Sequence, residues 1–303
     1  MAGPNVPVGT TVVSNALKPT LMDVWGDQPM KNLDWEGCGY KVSNTTDAYV
    51  DDQEYAHTNV APIVPEGQLI PLDSITQGYA KRYWMVKSGL RLVVTEEALE
   101  DCKYEQAIAG TKSIARSLRL TQEYQGASTF IYAFTSGYNG GDGVPLCSLV
   151  HPLPKGGTFQ NMFTNAMSLS ETAVEQMIVN MSKMPASNGE IQDGYDLKKL
   201  VVPKDLWFRA NRILKSQQQN DTANNAINVL KGMGIEIAAN RYFTSTTNWF
   251  GTSDVEAGLK FIWRKKPLFR EHNTEDNYTK SFVGIQRFQL GWSDPRDVYG
   301  SNI

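Results

Sequence analysis

The spacing of apolar and polar residues changes several times along this chain, and one long stretch keeps helical spacing throughout. From Thr95 to Phe134 the sequence contains no proline, and its apolar residues recur at positions that share one face of a helix. Glu96 and Glu97 follow Thr95, an N-cap residue type, and place negative charge where the helix dipole is positive. Gly137 and the glycines after it end the pattern. We therefore predict one long helix over most of this stretch.

An extended segment is predicted just before the helix. Between residues 79 and 94, β-branched and aromatic side chains alternate as in a strand, with Tyr83 and Trp84 on opposite faces. The preceding residues contain three prolines, which cannot donate to a sheet ladder and indicate an edge strand or a projecting arm. Because a two-stranded arm is marginally stable alone, we expect another chain to complete it.

The first 52 residues show little periodic pattern and are rich in proline and glycine, but they carry apolar anchors such as Leu21 and Trp25. A segment of this kind cannot form its own core. We expect it to pack against the body of the protein or against a neighbouring chain, and a loosely ordered terminus is the alternative.

Shorter elements are predicted after the long helix. Helices are expected over residues 170–184, 205–215 and 222–230, and strands over residues 198–202, 235–239, 260–263 and 281–291. Ser168 or Ser170 would cap the first of these helices and Asp205 the second. We also place Trp207-Phe208 and Trp249-Phe250 in the core. Strands and helices do not alternate regularly, which favours an α+β fold over a doubly wound sheet.

Composition narrows the possible functions. The chain has 303 residues, of which 41% are hydrophobic, and a formal net charge of -3, so it can form a large core and lacks the basic excess of a dedicated nucleic-acid or membrane-surface binder. Cys38, Cys102 and Cys147 lie far apart, which argues against a disulfide framework and for a reducing compartment. No apolar run is long enough for a membrane span and no secretion signal is recognisable, so we expect cytoplasmic synthesis.

Cys147 and His151 are the strongest candidates for chemistry. They lie four residues apart in a loop rich in glycine and proline, a spacing that could hold a thiolate–imidazole pair or two metal ligands. No third catalytic group or further metal ligand has a suitable spacing, and the glycines between residues 137 and 143 match no phosphate-binding pattern. We therefore predict no catalytic, cofactor-binding or metal residues, and expect Cys147 to pack as a small hydrophobic side chain.

Several motifs between residues 80 and 303 resemble the major head subunits of tailed phages, especially relatives of the Mu-like prophage head protein. The order and spacing of these motifs match as well as their residues. They are Asp142-Gly143-Val144-Pro145-Leu146-Cys147-Ser148, His151-Pro152-Leu153, Gly156-Gly157-Thr158, Asn161, Leu200-Val201-Val202-Pro203, residues 210–216, Thr222-Ala223-Asn224-Asn225, Arg287-Phe288, Gly291-Trp292 and Tyr299-Gly300.

This resemblance implies the Hong Kong 97 coat-protein fold, an α+β fold with an N-terminal arm, an extended E-loop, a P domain with a long spine helix, and an A domain. The implied segments are residues 1–52 for the N-terminal arm, 53–93 for the E-loop, 94–140 for the spine helix of the P domain, 141–270 mostly for the A domain, and 271–303 for the returning P-domain strands and C-terminus.

The same resemblance implies a major capsid protein that assembles as hexamers and pentamers into the icosahedral head of a tailed double-stranded DNA phage. Copies of the chain and packaged DNA, bound without sequence specificity, would be its partners. A scaffolding protein, a portal and a decoration or cement protein are compatible further partners, whereas no cofactor and no membrane are expected. The implied location is the virion, after assembly in the host bacterial cytoplasm.

In such a shell, we expect the N-terminal arm and the E-loop to bury apolar side chains on neighbouring subunits, because neither segment has a core of its own. The candidate contact residues are Trp25, Leu69, Ile70, Tyr83 and Trp84. Two other functions stay open: an encapsulin-like shell of the same fold that encloses protein cargo, and a soluble enzyme that uses Cys147 and His151.

Overall fold

The structure is a computed structural model that describes residues 21–25, 33–56, 58–95, 104–191, 195–218, 227–255, 257–274 and 279–303. The chain divides into two compact units. Unit 1 comprises residues 1–32, 85–122 and 263–288, and unit 2 comprises residues 33–84, 123–262 and 289–303. Each unit is therefore built from segments that are distant in sequence, whereas the five segments expected from the sequence are consecutive.

The helices and strands within the described residues have the following bounds. The α-helices are α1 (Asp34–Gly37), α2 (Tyr104–Ile131), α3 (Glu171–Ser182) and α4 (Trp207–Lys215). The strands are β1 (Lys41–Asn44), β2 (Tyr49–Ala56), β3 (Thr76–Trp84), β4 (Val86–Thr95), β5 (His151–Pro152), β6 (Thr158–Phe159), β7 (Lys199–Pro203), β8 (Glu236–Asn240), β9 (Trp249–Thr252), β10 (Leu259–Thr274), β11 (Thr279–Trp292) and β12 (Val298–Ser301). Residues 21–25 are also helical.

The sheets combine strands that are distant in sequence. One four-stranded sheet has the order β1-β10-β11-β4 and another the order β12-β9-β7-β8, while β2 pairs with β3 and β5 with β6. Strands β7 and β8 are parallel and are connected through α4, whereas the other pairs with a defined register are antiparallel. Mixed, mostly antiparallel pairing confirms the α+β prediction, with one parallel crossover that the sequence reading did not include.

The long helix is confirmed over 28 residues, Tyr104–Ile131. At about 1.5 Å per residue, α2 is roughly 42 Å long. Thr95 is the last residue of β4, and residues 96–103, where the predicted helix would begin, lie outside the described residues. The predicted end is three residues late, because the chain turns after Ile131 and reaches Gly137 with a φ of 112°.

Unit 1 is built on the antiparallel pair of β4 and β11, in register from Val86↔Phe288 to Thr95↔Thr279. The first part of α2 lies against this pair, and glycines permit the close approach. A Cβ added at Gly284 would lie 2.6 Å from Cγ2 of Ile114, and one at Gly110 would lie 2.8 Å from Cδ1 of Leu92. Alanine at either position would therefore force the neighbouring side chain or the helix to shift.

Unit 2 has the larger hydrophobic core, in which α3 and α4 cover the sheet of β7, β8, β9 and β12. Its members include Met177, Met181, Leu200, Val202, Ile213, Trp249 and Tyr299. The hydroxyl of Ser170 accepts a hydrogen bond from the Ala173 N–H at 3.2 Å and caps α3, as predicted. Strands β7 and β8 begin and end within one residue of the predicted ranges.

Two local predictions are corrected, and a third falls mostly outside the described residues. Asp205 does not cap α4: it lies in a 3-10 turn, Lys204–Leu206, and α4 begins after it without a side-chain cap bond. Phe208 is 65% exposed and not in the core, because it lies on the outer face of this short helix, while Trp249 and Phe250 are buried as predicted. The predicted helix over 222–230 falls mostly on residues 219–226, outside the described residues.

The single extended segment predicted between residues 79 and 94 is two strands. Strand β3 pairs with β2 and strand β4 with β11, and Met85 lies between them. From Tyr79 to Met85 the odd-numbered side chains are the half-buried or buried ones, whereas Lys87 is exposed and Ser88 is half-buried. The buried face changes because the pairing partner changes, which alternation in sequence alone does not reveal.

Candidate assembly surfaces

A long hairpin projects as an arm, which we define as Tyr49–Trp84. Its stem is the antiparallel pair of β2 and β3, which runs from Tyr49↔Trp84 to Ala56↔Thr76 with one shift of register between Gln53 and Tyr55. Its tip, residues 58–75, contains no strand. Gly67 has a φ of 81°, and the Gln68 N–H donates to the Pro65 carbonyl at 3.2 Å, so the chain turns at Glu66-Gly67. The stem is held by strand pairing that is interrupted once, beside Glu54, and the tip relies on turns.

The tip exposes a series of large apolar side chains. They are Val60, Ile63, Leu69, Ile70, Leu72 and Ile75. Ile63 and Leu72 are 99% exposed and Leu69 is 95% exposed, so these side chains make almost no contact within the chain. Soluble monomers seldom expose so many neighbouring aliphatic side chains, and such patches mark surfaces that contact another molecule. The tip is therefore the first candidate assembly surface.

The structure brings Leu69 and Ile70 together in this tip and places Trp84 at the far end of the stem. The Trp84 ring is 59% exposed and lies 5.1 Å from the Tyr49 ring, so its outer face is available to another chain. These three of the five candidate contact residues keep their apolar surface in solvent. The expectation that they contact a neighbouring subunit remains a prediction.

Tyr83 lies on the opposite face of β3 and is 3% exposed. Its hydroxyl donates to the Trp292 carbonyl and accepts from the Trp292 N–H at 3.1 Å. Gly291 lies directly against the Tyr83 ring, where an added Cβ would overlap it. Tyr83 thus holds the stem to the C-terminal segment of its own unit, and we leave it out of the proposed contact surface.

Trp25 is half-buried and stacks on Phe269 in unit 1, with ring centroids 5.2 Å apart. It belongs to a small cluster with Leu21 and Phe282. The expectation that residues near Trp25 pack on the body of the protein is therefore met within unit 1. Most of the remaining first 52 residues, 1–20 and 26–32, lie outside the described residues.

Ile63 and Leu72 were not among the sequence candidates, although they are the most exposed apolar side chains of the tip. One feature of the sequence could have identified both residues as exposed. Each lies within one residue of a proline, Pro62 or Pro71, in a segment whose prolines prevent sheet pairing. An aliphatic residue in a segment that can neither pair nor form a core has to be exposed or covered by another chain.

The outer face of the stem carries one ion pair. Arg82 donates to Asp51 through Nε at 2.6 Å and through Nη2 at 2.8 Å, and its guanidinium lies 4.2 Å from the centre of the Tyr49 ring. Hydrogen bonding to Arg82 lowers the pKa of the Asp51 carboxyl below its usual range. Because both groups are exposed to water, this pair contributes little to stability.

Asn161 organises the loop that follows α2. Its side chain is fully buried, and its Nδ2 donates to the carbonyls of Leu146 at 2.6 Å, Pro295 at 2.9 Å and Val298 at 3.0 Å. Its Oδ1 accepts from the Ser148 N–H at 2.8 Å. The three carbonyls fix the orientation of the amide, so Oδ1 can only accept. One side chain thereby joins the loop to the C-terminal segment.

His151 has no free ring nitrogen. Its Nδ1 lies 2.6 Å from Oδ2 of Asp142 and its Nε2 lies 3.1 Å from Oδ1 of Asn161, and the ring is fully buried. Cys147 is also buried, which raises the pKa of its thiol far above the usual range. A thiolate–imidazole pair requires a reactive thiolate and an available imidazole nitrogen, and this geometry supplies neither. Cys147 packs as a small hydrophobic residue, as predicted.

Asp297 is a buried carboxylate in the 3-10 turn that precedes β12. It is 2% exposed, and its oxygens accept from Oγ of Ser253 at 2.7 Å and from the Leu259 N–H at 2.9 Å. Loss of hydration on burial is the main cause that raises its pKa to about 6, and the nearby Asp294 acts in the same direction. The folded state therefore favours the protonated acid more than the unfolded chain does.

Asp297→Asn should reveal this effect as a change in pH dependence. The unfolded pKa is about 3.9, so the stability that protonation gives the wild-type fold is complete below pH 4 and is lost as the pH rises through 6. Asparagine stays neutral and can still accept from Leu259. We expect the free energy of unfolding of Asp297→Asn, relative to wild type, to rise by about 2–3 kcal/mol between pH 4 and pH 7. Urea unfolding at four pH values measures this, and a constant difference would contradict it.

Within the described ranges, no group of three histidine, cysteine, aspartate or glutamate side chains could hold a metal ion. No helix in the same residues is long and apolar enough to cross a membrane.

Comparison with known proteins places this geometry in context. Residues 82–300 match the family model described as phage capsid protein. The curated proteins include no significant sequence relative of the chain.

Among solved structures, the virus-like particle from Pyrococcus furiosus is similar with a TM-score of 0.54 and 10% identity, over 95% of this chain and 98% of that chain. The capsid of Myoviridae phage XM1 has a TM-score of 0.53 and 9% identity, over 90% and 92%. The capsid of the native GTA particle has a TM-score of 0.55 and 11% identity, over 90% of both chains.

Proposed function

Because the chain belongs to the phage capsid protein family and has the fold of the Hong Kong 97-like capsids, we propose that it is a major capsid protein whose copies assemble as hexamers and pentamers into the icosahedral head of a tailed double-stranded DNA phage. The head is its proposed location and the host bacterial cytoplasm the proposed place of assembly. A scaffolding protein, a portal and a decoration or cement protein are compatible partners.

The exposed apolar tip is the observation that carries the proposal of self-assembly. Ile63, Leu69 and Leu72 make almost no contact within their own chain, although burying each of them would contribute roughly 1.5–3 kcal/mol. We propose that the neighbouring subunit covers these side chains and also contacts the exposed ring of Trp84. Since a closed shell repeats the same contact many times, modest contacts of this kind add up through avidity.

DNA is the proposed content of the head, held without sequence recognition. The formal net charge of -3 supports this, because proteins that bind DNA tightly through its phosphates carry a strong basic excess. A chain of near-neutral net charge can enclose DNA of any sequence without fixing its position.

An encapsulin-like shell is the second candidate, and one observation favours considering it. The virus-like particle from Pyrococcus furiosus is similar over 95% of this chain, at an identity of 10% that informs only about the fold. The two functions differ in what the particle encloses. Nucleic acid extracted from native particles after nuclease treatment of their exterior supports the phage head, whereas protein cargo without nucleic acid supports the encapsulin-like shell.

Expression of the chain alone, followed by negative-stain microscopy and sedimentation velocity, tests self-assembly. We expect closed shells, or rings of five or six subunits, because the tip provides an intermolecular contact in every copy. If only monomers form, the protein should be co-expressed with the neighbouring phage genes and concentrated with a crowding agent. Monomers that persist under both conditions would refute the proposal.

A further inference from the structure

Arg296 is a buried charge beside the stem of the arm, near the end of β2 that leads into the tip. The residue is 1% exposed. Its Nη1 lies 3.1 Å from Oε1 of Glu54 and 3.0 Å from Oδ1 of Asp294, and its Nε donates to the Pro185 carbonyl at 2.9 Å. The guanidinium also lies 4.5 Å from the centre of the Phe159 ring. Four segments that are far apart in sequence therefore meet at one side chain.

Only one of these contacts comes from the arm. Glu54 belongs to β2 of the stem, and its Oε1 also accepts from Oγ of Ser187 at 2.9 Å. Asp52 lies two residues earlier on the same face of the strand and binds Nζ of Lys260 through both oxygens at 2.9 Å. The inner face of β2 is thus attached to the rest of unit 2 through two successive carboxylates.

The contact between Arg296 and Glu54 is better suited to fixing the direction of the stem than to stabilising the fold. A buried ion pair contributes little net stability compared with apolar side chains of the same volume, because both charges lose their hydration. The guanidinium, however, is a rigid planar group whose donors point in fixed directions. Here it holds Glu54, Asp294 and Pro185 in one arrangement, and only a narrow range of stem orientations satisfies all three.

The length of the arm makes this orientation important. About ten residues separate Glu54 from the exposed side chains near the middle of the tip, and at a strand rise of about 3.3 Å per residue this places them at most roughly 30 Å away. A rotation of about 10° at Glu54 would then move the tip by up to roughly 5 Å, more than the distance at which apolar side chains are in contact. A small error at Arg296 would therefore take the tip out of reach of its contact surface.

We propose that Arg296 is a positioning residue for assembly: through Glu54 it fixes the direction of the arm, so that the apolar tip meets the next copy of the chain. This role rests on the proposed function, since the tip needs a partner only if the chain assembles. Arg296 touches no partner in this role and acts through the stem. The exposed pair of Arg82 and Asp51 lies on the other face of the same hairpin and does not share it.

The matched test compares Glu54→Ala with Asp51→Ala, which each remove one carboxylate partner of an arginine from the same strand. Glu54→Ala leaves Arg296 compensated by Asp294. Spin labels at Gln68→Cys in the tip and Glu175→Cys on α3 report the direction of the arm in the unassembled subunit, with Cys102→Ser in the background. Both labelled side chains are exposed.

We expect one narrow distance distribution in wild type and in Asp51→Ala, and a distribution at least twice as wide in Glu54→Ala. The yield of closed shells should fall at least tenfold in Glu54→Ala alone. A Glu54→Ala distribution as narrow as that of the control would overturn the proposal. If Glu54→Ala does not fold, the width of the distance distribution of Glu54→Gln is compared with that of Asp51→Ala instead, and the same criterion applies. A wild-type chain that never assembles counts against the proposed function, while the distance measurement still tests the role of Arg296.

Discussion

Deletion of residues 60–75, with Asn59 joined to Thr76 through two glycines, will abolish closed shells and leave a folded subunit. The deleted segment carries the exposed apolar side chains of the tip but no strand and no member of either hydrophobic core. Because exposed residues contribute little to stability, the free energy of unfolding should change by less than about 1 kcal/mol. Sedimentation velocity and negative-stain microscopy measure assembly, and circular dichroism measures folding. Normal shells from the deleted chain would refute the assembly role of the tip.

Point substitutions separate the loss of apolar contacts from the loss of length. We expect the triple variant Ile63→Ser, Leu69→Ser and Leu72→Ser to lower the yield of shells strongly, because each change removes apolar surface and keeps the chain length. The matched control is Glu66→Ser with Gln68→Ser, which alters polar residues in the same turn. Equal yields from the two variants would show that the tip acts through something other than its apolar side chains.

Asn161→Ala should cause a much larger loss of stability than any change in the tip. The substitution leaves the Ser148 N–H and Nε2 of His151 without this partner and removes the amide donor from the carbonyls of Leu146, Pro295 and Val298, of which Pro295 keeps a bond from the Val298 N–H. Each unpaired buried polar group costs roughly 1–3 kcal/mol, partly offset where water enters the space. We expect the free energy of unfolding to fall by at least about 4 kcal/mol, which urea denaturation followed by near-ultraviolet circular dichroism measures.

Asn248→Ala is the control for this loss. Its Nδ2 donates to Oδ1 of Asn302 at 3.3 Å on the surface, and its Oδ1 accepts from the Ile303 N–H at 3.0 Å. Water can replace both partners, so the free energy of unfolding should fall by less than about 1 kcal/mol. If the two variants lose equal stability, burial of the Asn161 network is not the reason for its importance.

The buried hydrogen-bond networks around Asn161 and Arg296 could not be predicted from the sequence. The sequence identified Cys147, His151 and Asn161 through their spacing in a family motif, but spacing does not show which side chain faces which. The partners of Asn161 include two residues more than 130 positions away. Nothing in the sequence distinguished Arg296, because a single arginine near the C-terminus is expected at the surface until its carboxylate partners are known.

The sequence by itself determined the elements whose signals are local. Helix spacing without proline predicted α2, Ser168 or Ser170 was the predicted cap of α3, and the prolines before β3 indicated an edge strand or a projecting arm. The motifs between residues 142 and 300 were enough to indicate the capsid family, and the family match over residues 82–300 confirms it. Such features depend on neighbouring residues or on fixed spacing, so they can be read directly along the chain.

Only the tertiary structure decided which side of each element is buried. Tyr83 and Trp84 are adjacent and both aromatic, yet Tyr83 is 3% exposed and Trp84 is 59% exposed. Phe208 is exposed to solvent although its apolar side chain suggests the core, and Arg296 is buried although its charge suggests the surface. Burial depends on which distant segments arrive at each face, and in this chain both units are assembled from such distant segments. The local pattern therefore specifies the elements, while contacts between remote residues specify the surfaces.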